Sequence, residues 1–134
     1  MTTNKKLGND FETELCELLF ANGFWVHNFA MNKAGQPADI IAVKNKHAYL
    51  IDAKVCSDGK FKVSRKEENQ ELSMTLWNDC GNGQAWFAMK LDEGVIYMIP
   101  HFCVQAFTNY KSEMTTEDIV GCGKPFEKWV KKCK

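Results

Sequence analysis

The run His47-Ala-Tyr-Leu-Ile-Asp-Ala-Lys-Val55 constrains this chain more than any other. It is apolar and β-prone enough for a strand inside a sheet, yet it carries an acid and a base. Side chains alternate along a strand, so Asp52 and Lys54 share one face, and Ile51, Ala53 and Val55 take the other. A buried charge is costly unless something pairs with it. Either Asp52 and Lys54 simply pair with each other, or they serve a site.

A second acid comes from the preceding run. Residues 38–44, Ala-Asp-Ile-Ile-Ala-Val-Lys, also read as a strand, and Asn45-Lys46 leaves room for a tight turn. Residues 38–44 and 47–55 therefore form a hairpin. That turn puts Asp39 opposite Asp52 on one face. An Asp that opens a strand is often only a turn residue, but two facing carboxylates repel and destabilise a sheet. A cation between them removes the conflict, and hard oxygen ligands with open positions suit Mg²⁺.

The third acid is on a helix. Phe11, Leu15, Leu18 and Leu19 recur at i, i+4, i+7 and i+8, which predicts a helix over residues 9–22. Asn9 or Asp10 is its expected cap, and Gly23 its stop. At about 100° per residue, Glu12 falls between Leu19 and Cys16, inside the apolar stripe. Glu14 and Glu17 fall on the polar side. Glu12 thus faces the body of the protein, or lies at its rim and reaches out to water. Three inward acids beside a lysine suit phosphodiester hydrolysis. Asp39 and Asp52 hold the ion, and Glu12 completes its shell directly or through water. Lys54 orients the attacking water or neutralises charge developing on the phosphate.

The remaining chain supplies strands at 24–29, 84–91 and 94–101, and a helix at about 64–78 with Ser64 and Glu67 as a capping box. Short helical pieces are expected near 102–109 and 125–132. The order is αβββαββα: an α/β fold with a central mixed five-stranded sheet flanked by helices. Neither a repeat nor a linker interrupts it, and 134 residues suit one domain over residues 1–134.

Charge is balanced, with 17 basic and 17 acidic residues. That argues mildly against a nucleic-acid partner. The distribution softens the objection, because Lys60, Lys62, Arg65 and Lys66 cluster just after the acid-bearing strand. They are candidates for phosphate contacts, with a plain solvated face as the alternative. Lys124, Lys128, Lys131, Lys132 and Lys134 read as a solubilising tail. Six cysteines form no CxxC pair, which excludes a zinc ribbon and points to free thiols in a reducing compartment. His27, His47 and His101 lack metal-ligand spacing and read as structural. No apolar run of signal-peptide or membrane-spanning length is present, so a cytoplasmic protein is expected.

Pro37-Ala38-Asp39 and Ile51-Asp52-Ala53-Lys54, preceded by a helix bearing Phe11-Glu12, resemble the PD-(D/E)xK nuclease superfamily. Ala38 departs from the family pattern, which has Pro directly before the first Asp. Within that superfamily the chain is similar to Holliday junction resolvases of the archaeal and Gram-positive kinds, phage versions included. The similarity runs over roughly residues 7–80 and includes Gly8 to Glu12 at the helix start. It implies a restriction-endonuclease-like core and a structure-specific DNA endonuclease that resolves four-way junctions. It also implies Mg²⁺, which Mn²⁺ can replace, held by Asp39, Asp52 and the Ala53 carbonyl. Gln70 matches the glutamine of the family's polar helix, and a homodimer is implied as well. A restriction-like or repair nuclease, and a silent DNA-binding module, are the alternatives.

Overall fold

The longest strand of the chain lies at the centre of its sheet and carries both charged residues of interest. A computed structural model describes residues 4–29, 38–65 and 68–133. In chain order the elements begin with α1 (Asn4–Ala21), β1 (Trp25–Asn28), β2 (Ile40–Lys44), β3 (His47–Val55) and β4 (Phe61–Lys62). Then come α2 (Glu68–Trp77), β5 (Trp86–Lys90), β6 (Ile96–Pro100), α3 (His101–Thr108), β7 (Glu113–Met114), α4 (Thr116–Cys122), β8 (Lys124–Pro125) and α5 (Phe126–Lys132).

The expected hairpin forms in the expected register. Asn45 and Lys46 have φ of 52° and 72°, the paired positive values of a two-residue hairpin turn. Ile40 pairs with Ile51 and Lys44 with His47. β3 then runs parallel to β5, with α2 in the crossover that a parallel pair needs.

The sheet is mixed, as expected, but has six strands in the order β1-β2-β3-β5-β6-β8 instead of five. The additional β8 is two residues long, too short to show any alternation. A separate two-stranded sheet pairs β4 with β7. The helix α4 is also additional. Thr115 caps it through a capping box with Asp118.

Two helix starts differ from expectation. α1 begins at Asn4, so Asn9 and Asp10 lie inside it rather than capping it. Leu7 extends the apolar stripe one turn ahead of Phe11, and Lys6 pairs with Asp10 at 3.1 Å. Its end is as read. Gly23 has φ of 90°, its N–H donates to the Phe20 carbonyl at 3.0 Å, and Phe24 N–H donates to the Leu19 carbonyl at 3.1 Å. That pair of bonds is a Schellman ending. α2 begins at Glu68, because Ser64 belongs to a 3₁₀ turn at Val63–Arg65. Glu67, the other half of the expected capping box, lies outside the described residues. So do Pro37, Lys66 and Lys134.

Helices cover both faces of the sheet. On one, Phe11, Leu15 and Leu19 of α1 and Phe126, Trp129 and Val130 of α5 pack on Ile40, Ile51, Ala53 and Met98. On the other, Met74 of α2, Val104 of α3 and Ile119 of α4 pack on Leu50, Phe87 and Ile99. By alternation, Asp52 and Lys54 share the second face with Leu50. All six cysteines are free thiols, and among the described residues no helix is long and apolar enough to cross a membrane.

Candidate active site

Asp39 stands where β2 has just failed to continue its ladder. Its Oδ2 accepts the Ala53 N–H at 2.8 Å, and its carbonyl accepts the Phe29 N–H at 2.7 Å. One residue thereby ties the end of β1 to β3. The Ala53 carbonyl leaves the same strand edge as the Ala53 N–H, beyond the last β2–β3 pair, Ile40 with Ile51.

Asp52 is wholly buried. The Lys54 ammonium stands 3.1 Å from Asp52 Oδ2. Even so, neither oxygen of Asp52 has a hydrogen-bond partner among the described residues, so the ammonium is an ion-pair neighbour outside hydrogen-bonding angles. Burial first, and the charge of Asp39 second, push the Asp52 carboxyl well above the usual range, against the pull of Lys54. Glu12 is pushed up to about 7, again by burial first and Asp39 second, with Lys54 opposing. Both shifts arise first from burial and second from the neighbouring Asp39 carboxylate, which Lys54 only partly offsets.

These residues fit a hard divalent cation. Asp52, with no hydrogen bond to either oxygen among the described residues, stands beside the Asp39 carboxylate, and a cation between the two would offset their repulsion. Among the described residues no group of three His, Cys, Asp or Glu side chains is close enough to hold a metal by itself. Glu12 is a charged neighbour of Asp39 and Lys54.

A cleft of about 620 Å³ opens beside Ala53 and Lys54, and Asp52, wholly buried, lies behind its lining rather than in it. Glu12, Asp39, Ala53, Lys54 and Gln70 line it, and Lys60, Lys62 and Arg65 form its basic side. Gln70 is 5% exposed, and its Oε1 has no hydrogen-bond partner among the described residues. The basic residues are held differently. Arg65 Nη1 donates to the Val55 carbonyl at 2.8 Å, and its guanidinium lies 6.0 Å from the Phe61 ring centre. Lys60 is 3.6 Å from Glu113, and Lys62 is exposed. Lys66 lies outside the described residues. The Lys124–Lys132 group is on β8 and α5, away from the cleft lining.

Leu7, Gly8, Ser57 and Asp58 also line the cleft and were not anticipated. Nor was the anchor of the basic loop. Gly59 has φ of 74°, and Thr116 Oγ1 donates to its carbonyl at 2.5 Å. Thr116 is 57 residues away in sequence, beyond any local pattern.

The family model described as archaeal Holliday junction resolvase (Hjc) matches residues 3–132. No curated protein matches the chain. Among solved structures, Hjc from Archaeoglobus fulgidus, a Holliday junction resolvase of an archaeal hyperthermophile, is similar in fold. Its TM-score is 0.69 at 19% identity, covering 93% of this chain and 96% of that one. At that identity the likeness speaks for the fold alone.

Proposed function

The chain belongs to the archaeal Holliday junction resolvase family, a family of structure-specific, junction-resolving endonucleases, and on that premise we propose how its own residues cut DNA. Such nucleases generally depend on a divalent metal and generally act on DNA junctions as dimers. The observation that carries the reading is Asp52, wholly buried beside Asp39 and 3.1 Å from the Lys54 ammonium, with no hydrogen bond to either of its oxygens among the described residues.

Asp39, Asp52 and the Ala53 carbonyl are the groups that would hold Mg²⁺, with Mn²⁺ as a substitute of similar ligand preference. When bound, such an ion draws charge from the scissile phosphate and eases deprotonation of the attacking water. Lys54 places a fixed ammonium beside the phosphate, where negative charge grows as the P–O bond breaks. Gln70 Oε1, an acceptor without a donor, orients the attacking water by accepting one of its hydrogens. Glu12, beside Asp39, would complete the ion's shell directly or through a water molecule. Lys60, Lys62 and Arg65 hold the flanking phosphates along the basic side. A second copy of the chain supplies the symmetric cut that a two-fold junction requires. Leu72 and Leu76, one turn apart on α2 and each 62% exposed, offer that copy an apolar surface.

Single substitutions Asp39→Asn, Asp52→Asn and Lys54→Ala test the site in a junction-cleavage assay with Mg²⁺. Each lowers cleavage by about a hundredfold or more while gel-shift binding of the junction persists. Full cleavage by Asp52→Asn would overturn the assignment.

A further inference from the structure

We propose that His101 is a positioning residue for DNA cleavage, acting on Gln70 through Glu71. The proposal rests on the reading of Gln70 as a cleft residue that orients water. His101 opens α3 and is 3% exposed. Its backbone N–H donates to the Ala85 carbonyl at 2.9 Å, which fixes it to the start of β5. Its ring lies 6.2 Å from Phe87, and Phe87 is the register partner of Asp52 in the parallel β3–β5 pair. Its Nε2 is 2.8 Å from Glu71 Oε2. A carboxylate only accepts, so Nε2 carries the hydrogen. A continuous set of contacts therefore runs from the metal-site strand, through Phe87 and His101, to Glu71 on α2. Glu71 is the neighbour of Gln70.

The helix needs such a tie. Of the ten residues in α2, only Gln70 and Met74 are buried. They lie on one side, at i and i+4, with half-buried Trp77 at i+7 on the same line, so apolar contacts along that single stripe resist roll about the axis only weakly. Glu71 projects about 100° around the axis from Gln70. A directional bond at that angle resists roll and sets where the Gln70 amide points. A displacement of about 1 Å in a group that positions a nucleophile costs about a hundredfold in rate.

The experiment is a double-mutant cycle on the full chain, with junction cleavage under saturating Mg²⁺ and junction Kd read separately. His101→Ala lowers kcat about ten- to a hundredfold and leaves Kd unchanged. His101→Gln, whose amide can donate to Glu71, recovers most of the loss. In a Gln70→Ala background, His101→Ala has no further effect. An equal loss in both backgrounds, a loss in Kd alone, or no rescue by His101→Gln would overturn the proposal. Hydrogen exchange at residues 68–72 separates the two layers of the argument. If Gln70→Ala leaves kcat unchanged, the reading of Gln70 fails and with it the link to catalysis. Protection lost in His101→Ala and kept in His101→Gln then still identifies the tether. Unchanged protection in both removes the tether itself.

Discussion

Glu12 and Asp52 make the metal-free protein sensitive to pH in an unusual direction. A paired carboxylate usually stabilises a fold as pH rises. In this fold the carboxyl of Glu12 stands at about 7 against 4.5 ordinarily, and that of Asp52 is raised too. Between those limits the folded state holds more protons than the unfolded chain, so stability falls as pH rises. Asp118, whose carboxyl is shifted down by its bonds to Lys111 and Thr115, titrates below this window. The metal-free melting temperature should therefore decline from pH 5 to pH 7.5, and Glu12→Gln should flatten the decline; a rise in the wild type would contradict the burial of these two carboxyls beside Asp39. At this scale Asp39, Asp52 and Lys54 were legible because period-two alternation and a two-residue turn fix which side chains face each other. Gln70 came only from resemblance. His101 was read as structural, and its partner Glu71 is 30 residues away, beyond any local pattern.

Among the elements, the loop between β3 and β4 is the most exposed to perturbation, because it holds Lys60 and leads into Lys62 on β4 and Arg65 beyond it, the basic side of the cleft. Its shape depends on Gly59, where a Cβ would lie 2.7 Å from Thr116 Oγ1 and φ is 74°. Gly59→Ala should cost about 1–2 kcal/mol for the left-handed backbone alone, and more for the crowding. Junction binding should weaken with it as Lys60 and Lys62 move. Thermal unfolding and a binding titration check both effects, and unchanged values in both would contradict the anchor. Long, periodic elements were readable in the sequence: β3 lies at residues 47–55 as expected, and the ending of α1 at Gly23 was foreseen. The two-residue strands β4, β7 and β8 were not, because pairing over two residues leaves no pattern. α4 could have been found from Thr115 and Asp118 ahead of Ile119, a capping box followed by an apolar residue.

For the whole molecule, a formal net charge of zero means that DNA attraction must come from where the charges sit. Lys60, Lys62 and Arg65 are gathered at the cleft, so Lys62→Ala should reduce the salt dependence of junction binding by about one phosphate contact, a slope change of about 0.9. An unchanged slope would place the DNA elsewhere. The layered α/β architecture and its mixed sheet follow from alternation and element order. The most direct test is cleavage of a labelled four-way junction beside a linear duplex of matching sequence, in Mg²⁺, with Asp52→Asn as control. Symmetrical cutting of the junction that spares the duplex and vanishes in Asp52→Asn is the predicted result. Equal cutting of both substrates, or cutting that survives in Asp52→Asn, would contradict the account.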